Sequence, residues 1–202
     1  MDQLSSDYLG AIDYKSSAHS FKLQDAYDGL SLQFMTYLDV IKEAFPNQKI
    51  WGALYLQFKN QPINLSEINH LSEIAGLLKE SMRYDGLVLE EAADQIKAIE
   101  NITVKKSNIY NQEEFEQLLK LNENHYQHAG QRLKSGQIAI NPIMKRSEGI
   151  DQTGNVRGCR YCPLKSICRF EANVHMNEHS REIGQKSQAE ILAELKGEGR
   201  NE

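Results

Sequence analysis

Residues 49–58, KIWGALYLQF, are apolar almost without interruption and lie between turn signals. A strand with that pattern is buried on both faces, so its sheet needs a layer of structure on each side. Upstream, residues 8–14 (YLGAIDY) form a shorter apolar segment of β-forming residues around Gly10 and Ala11, ending at Asp13 to Lys15. Between the two, Tyr27, Leu30, Phe34, Leu38, Ile41 and Phe45 step by three or four. That spacing predicts one amphipathic helix over 23–45, ended by Pro46-Asn47. Strand, helix, strand argues for an α/β fold over a helical bundle.

The rest of the chain reads as mostly helical. Helices are predicted over 65–82, opened by Ser66, Glu67 and Asn69, and over 90–99. Another is predicted over 111–133, where Phe115, Leu118, Asn122, Tyr126, Ala129 and Leu133 share one face. Short strands are expected over 102–109 and 137–140, and Pro142 begins an irregular stretch. Residues 176–202 are polar and lack aromatics, which predicts a frayed helix or a loose tail. No internal repeat is visible. Two clear strands make a thin sheet, so either further strands are hidden or the chain begins partway through a domain. The expected division is a core over 1–140, a cysteine-rich segment over 141–175 and a tail over 176–202.

Composition narrows the function. Twenty-three Lys and Arg against 28 Asp and Glu give a net charge of -5, which excludes a globally basic DNA-coating protein but not a local basic surface. The N-terminus has no basic stretch followed by an apolar core, and no apolar run approaches the ~18–20 residues a bilayer needs. A soluble cytoplasmic protein with no membrane partner is therefore expected. There, clustered cysteines bind metal or do redox chemistry more often than they form disulfides.

Two sites carry possible chemistry. Strand alternation puts Asp13 and Lys15 on one face, roughly 6–7 Å apart. A carboxylate there can hold Mg²⁺ through oxygen while the lysine stabilises charge or orients a water; the alternative is a surface ion pair. On the helix that follows, Gln33 and Tyr37 are four residues apart and share a face, although Tyr37 also fits a core aromatic and Gln33 a solvated residue. The second site is Cys159-x2-Cys162-x5-Cys168, which holds all three cysteines of the chain. His175 or His179 could complete a tetrahedral Zn²⁺ site with them. The flanking cations Lys145, Arg146, Arg157, Arg160, Lys165 and Arg169 suit either phosphate contacts or the offset of thiolate charge.

The sequence Ile12-Asp13-Tyr14-Lys15-Ser16-Ser17, the Gln33/Tyr37 pair and Gly158-Cys159-Arg160-Tyr161-Cys162-Pro163 through Cys168 together resemble one family. It is the C-terminal nuclease domain of the AddB/RexB proteins, the B-type component of the ATP-dependent helicase/deoxyribonucleases of bacterial double-strand-break repair, within the wider PD-(D/E)XK class. The resemblance implies a partial PD-(D/E)XK core, a mixed sheet flanked by helices, with a C-terminal cysteine-rich loop. It implies an Mg²⁺-dependent exonuclease whose Asp13 binds the metal, with the Tyr14 carbonyl assisting. Lys15 would position the attacking water and stabilise the phosphate, and Gln33 and Tyr37 would contact the DNA strand. Cys159, Cys162 and Cys168 would supply three ligands of a [4Fe–4S] cluster. The implied partners are DNA ends, single strands and the A-type helicase–nuclease subunit of the same complex.

The chain also departs from the family. No cysteine precedes Cys159 to act as the fourth ligand, and only Met1-Asp2-Gln3-Leu4 matches the end of the family's G-x-I-D-R-I-D stretch. A fragment with weak or no activity of its own is the expectation. A non-catalytic zinc- or DNA-binding interaction module is the alternative.

Overall fold

The computed structural model describes residues 2–5, 7–17, 19–58, 82–98, 105–174 and 181–197. Five strands form one mixed sheet: β1 (Asp2–Ser5), β2 (Tyr8–Lys15), β3 (Lys49–Phe58), β4 (Met82–Leu89) and β5 (Ile109–Tyr110), in that spatial order. β2 and β3 run parallel, as do β4 and β5, while β1 with β2 and β3 with β4 are antiparallel. Burial of every residue from Trp51 to Gln57 explains the apolar run: β3 is central, with a neighbour on either edge and helices over both faces.

A bulge sets the register of the two parallel strands. Leu9 pairs with Ile50 and Gly10 with Gly52, so Trp51 is the extra residue. Both glycines are required there. A Cβ on Gly10 would lie 2.2 Å from the Trp51 ring, and Gly52 has φ +139° with its Cβ position 2.3 Å from the Leu87 carbonyl oxygen.

The helix predicted over 23–45 is two helices. α1 (Leu23–Tyr27) stops at a turn in which Gly29 takes φ +80°, and α2 (Gln33–Ala44) starts afresh. α2 buries Phe34, Met35, Leu38 and Ile41. Each such side chain contributes about 1.5–3 kcal/mol when removed from water. On the other face of the sheet, Ala92 and Ile96 of α3 (Glu90–Ala98) pack on Trp51, Leu54 and Val88.

The chain divides into two units, 1–22 with 31–122 and 23–30 with 123–202. The first holds the sheet, α2, α3 and the opening of α4 (Gln112–Lys134), where Phe115, Leu118, Leu119 and Asn122 are buried. The second holds α1, the rest of α4 and a parallel pair, β6 (Ile143–Lys145) with β7 (Arg181–Ile183). It also contains α5 (Lys165–Cys168) and α6 (Gln188–Leu195). Its cysteine-bearing part rests on a small core of Val156, Phe170 and Ala172.

Several elements differ from the sequence expectation. β4 carries no clear strand signal, because Asp85-Gly86 in mid-strand imitates a turn. Residues 137–140 are exposed and irregular, and the strand lies instead at Ile143–Lys145, just after Pro142. Of residues 102–109, those from 102 to 104 lie outside the described residues, Lys106–Asn108 form a 3-10 turn, and only Ile109 reaches the sheet, with Tyr110. The helix predicted over 65–82 lies outside the described residues except for Met82, which opens β4. Where a frayed helix or a loose tail was expected, residues 181–197 hold β7 and the helix α6. α6 begins with a capping box between Ser187 and Glu190, and its Ile191 is fully buried.

Candidate active site

Parallel pairing in register sets Asp13 beside Tyr55 and Lys15 beside Gln57 at the C-terminal ends of β2 and β3. α2 lies over this face of the sheet, with its Phe34 ring 4.0 Å from that of Tyr55. One strand and one helix therefore supply all four polar residues singled out in the sequence. Lys15 Nζ lies 2.7 Å from Asp13 Oδ2 and donates to Gln33 Oε1 at 3.3 Å. Gln33 Nε2 in turn donates to the Tyr37 hydroxyl oxygen at 2.6 Å.

The direction of this chain of bonds follows from its chemistry. An ammonium only donates, so the Gln33 amide must turn its oxygen toward Lys15 and its nitrogen toward Tyr37. Tyr37 then accepts, and its own O–H is left to donate outward. At 39 % exposure its side chain is within reach of a ligand. Tyr37 is thus not the core aromatic that its helix position also allowed.

The ion pair is partly shielded, with side-chain exposures of 22 % for Lys15 and 20 % for Asp13. The Asp13 carboxylate raises the lysine above its ordinary value, outweighing the opposing effect of burial. Beneath the ammonium lies the Tyr55 ring, 5.3 Å away. Burial pushes the Tyr55 phenol upward, with a hydrogen bond to Ser31 opposing that shift. Asp13 Oδ2 is buried and has no aligned hydrogen-bond donor among the described residues, so the contact with Lys15 is that of an ion pair. Tyr14 is 66 % exposed, and its side chain is on the other face of the strand.

A hard divalent cation fits the Asp13 oxygen, because a buried carboxylate oxygen with no aligned donor has lone-pair capacity to spare. Among the described residues, no group of three or more His, Cys, Asp or Glu side chains is arranged to hold a metal ion.

The cysteines present a different picture. All three are free thiols, with Cys159 and Cys168 partly buried against the small core and Cys162 exposed. Burial raises the Cys159 thiol, and Cys162 and Cys168 add to the effect, so the three are neighbours without forming a ligand set. Among the described residues they do not by themselves form a group that could hold a metal ion. His175 and His179 lie outside the described residues. The flanking cations are largely engaged. Arg157 and Arg160 pair with Glu148, and Arg160 also with Asp151. Lys145 pairs with Asp25, Arg146 with Glu182, and Lys165 donates to Asn155.

A family model described as the PD-(D/E)XK nuclease superfamily matches residues 2–169. The chain belongs to that superfamily. Over all 202 residues it is 99 % identical to the B component of an ATP-dependent helicase/deoxyribonuclease of Lactococcus lactis subsp. lactis strain IL1403. It is 88 % identical over the same length to an exonuclease/helicase subunit RexB of Lactococcus lactis subsp. cremoris strain MG1363. The B component of the ATP-dependent helicase/deoxyribonuclease of Streptococcus agalactiae strain A909 is 35 % identical over 179 residues, 87 % of this chain and 16 % of the relative. The chain spans 18 % of the length of each of the two lactococcal relatives. Its mixed sheet flanked by helices is consistent with the PD-(D/E)XK fold.

Sequence reasoning missed Tyr55 and Ser31 as parts of this site. The available signal was the alternation of β3: once Asp13 faces α2, its in-register neighbour Tyr55 must face it too.

Proposed function

We infer that this chain is the nuclease portion of a longer helicase–deoxyribonuclease protein and that the Asp13, Lys15, Gln33 and Tyr37 cluster is where DNA phosphodiesters are hydrolysed. One observation carries this reading: the four side chains form a single ordered relay from a buried carboxylate oxygen to an outward-pointing hydroxyl. The position of Asp13 at the start of that relay supports its role as the ligand of a divalent cation, Mg²⁺ by preference, with the Tyr14 carbonyl as a second donor. When bound, the cation supplies Lewis-acid polarisation of the phosphate and activation of a water.

The rest of the work falls to the chain itself. Lys15 presents an ammonium to the charge that develops on the phosphate, and charge–charge contacts of this kind are strengthened in a partly shielded site. Gln33 holds that ammonium in one direction, while the Tyr37 O–H donates to a neighbouring phosphate oxygen and sets the strand in place. Nothing in this set reads a base edge, which suits an exonuclease that must digest any sequence.

In the longer protein we assign a second acidic ligand to the part of the polypeptide outside these 202 residues, and an A-type helicase–nuclease subunit as the partner that delivers DNA ends. We place the assembly in the cytoplasm. The three cysteines are the proposed contribution of this chain to a [4Fe–4S] cluster, completed by a cysteine elsewhere, with Zn²⁺ as the competing occupant; no catalytic step depends on it.

The test is degradation of linear DNA in Mg²⁺ or Mn²⁺. This 202-residue chain should cut weakly or not at all, and the longer protein in its complex should cut efficiently and lose that activity with Asp13→Ala. Full cleavage by the Asp13→Ala protein would remove the basis of this assignment.

A further inference from the structure

Asp85 is a carboxylate that the relay does not use, and it is 7 % exposed in the middle of β4. Burying a carboxylate is costly unless its oxygens are paired and hydrogen-bonded. Its environment indicates what it does. Oδ1 accepts the backbone N–H of Phe21 at 2.8 Å and the Asn108 amide at 3.4 Å, while Oδ2 pairs with Lys105 at 2.7 Å. Lys105 is itself 64 % exposed, so the buried partner is held in place chiefly by its hydrogen bonds.

Two alignments connect this anchor to the site. Asp13, Tyr55 and Asp85 are register partners on β2, β3 and β4, which puts all three on the face covered by α2. Phe21, fixed by Asp85 and 3 % exposed, stacks on Phe34 at 6.1 Å and 29°. Phe34 packs on Tyr55 at 4.0 Å, and Tyr55 lies beneath the Lys15 ammonium at 5.3 Å. From the other side, Gln57 donates to the His19 carbonyl and the His19 ring touches Tyr55 at 5.7 Å. Residues 19–21 are thus pinned at two points, and an unbroken set of ring contacts runs from the pin to the lysine.

We propose that Asp85 is a positioning residue for Lys15, acting through Phe21, Phe34 and Tyr55. It holds the segment after β2 so that the three rings stack and the Tyr55 face supports the ammonium in line with Gln33. This rests on the functional reading given for Lys15, but its direct signature does not require cleavage.

That signature is the upfield NMR shift that the Tyr55 ring imposes on the Lys15 ε-methylene protons. Asp85→Ala in this 202-residue chain should relax that shift and speed amide exchange at Phe21. Asp85→Asn, which keeps an acceptor for the Phe21 N–H, should restore both. Phe21→Leu keeps the backbone donor and the apolar bulk but removes the stacked ring; it too should relax the Lys15 shift, and it provides a second variant should Asp85→Ala fold poorly. In the longer, active protein, Asp85→Ala should lower kcat on the order of 10- to 100-fold at nearly unchanged KM. Asp85→Asn should recover most of that loss. An unchanged Lys15 shift in Asp85→Ala and Phe21→Leu overturns the proposal whether or not the protein cuts DNA. A wild-type longer protein that does not cut, with the shift relaxing as expected, removes the nuclease reading and leaves the positioning in place.

Discussion

The two regions that stand out in the sequence, the Asp13 to Tyr37 cluster and the cysteine segment, fold on different terms. The first sits where a central sheet meets α2, whose side chains Phe34, Met35 and Leu38 are buried. Its polar groups are oriented before any ligand arrives. The second sits on 3-10 and helical turns of three or four residues, over a core of three side chains, and its thiols are neighbours that do not converge. Apolar packing builds the one, whereas the other has little of it, and in the proposed reading a ligand would draw it together, as structural metal sites generally do. A motif is thus a statement about geometry only when the surrounding chain can enforce that geometry.

That contrast can be broken by experiment. The largest effect is expected from Leu38→Ala, which empties a fully buried position beneath the relay. It should cost about 2–5 kcal/mol of stability in a denaturant titration of the first unit. A loss below ~1 kcal/mol would show that packing does not enforce this site.

Next comes ligand supply to the cysteines. Reconstitution with iron and sulfide, or addition of Zn²⁺, to about ten times its dissociation constant should slow proteolysis near residues 159–168 roughly tenfold. Proteolysis within β2 and β3 should not change. Equal protection of both regions would erase the distinction between them.

Tyr37→Phe removes the hydroxyl, both its outward O–H and the oxygen that accepts from Gln33 Nε2. In the longer protein it should weaken DNA binding by up to about tenfold, the worth of one hydrogen bond, with no loss of fold. The smallest effect concerns Asp151 in the cysteine segment. Hydrogen bonds from Thr153 and Asn155, with Arg160 beside it, hold its carboxyl down at about 2. A group lowered in the folded state stabilises above its unfolded value, near ~3.9. That contribution should fade as pH falls from about 4 to about 2, and an Asp151→Asn protein should lack this part of the acid transition.

Much of the sheet unit was legible, for identifiable reasons. β2 and β3 announce themselves because a central parallel pair is apolar on both faces. α4 is visible through its long periodic face, although that face is buried only as far as Asn122; Tyr126 and Leu133 on the same stripe are exposed. The break between α1 and α2 was hidden because Tyr27 and Leu30 continue the helical spacing across Gly29. β4 was hidden because Asp85 makes sense only beside the Phe21 N–H, 64 residues away. The ion pairs of the basic flank with Asp25 and Glu182 were not legible because both partners are distant in sequence from the cysteines. Asp13, Lys15, Gln33 and Tyr37 could each be named from spacing and resemblance. Their order as a relay could not, since it depends on the ammonium dictating which way the Gln33 amide turns.

The most direct test is the rate of Mg²⁺-dependent degradation of linear DNA by the longer protein in its complex, wild type against Lys15→Met. The methionine preserves bulk over the Tyr55 ring and removes the charge at the centre of the relay. The account predicts a loss of roughly 10²–10³-fold in kcat with DNA unwinding intact, the scale expected when a transition-state charge contact is removed. Degradation within a factor of about three of wild type, less than one lost hydrogen bond, would contradict it.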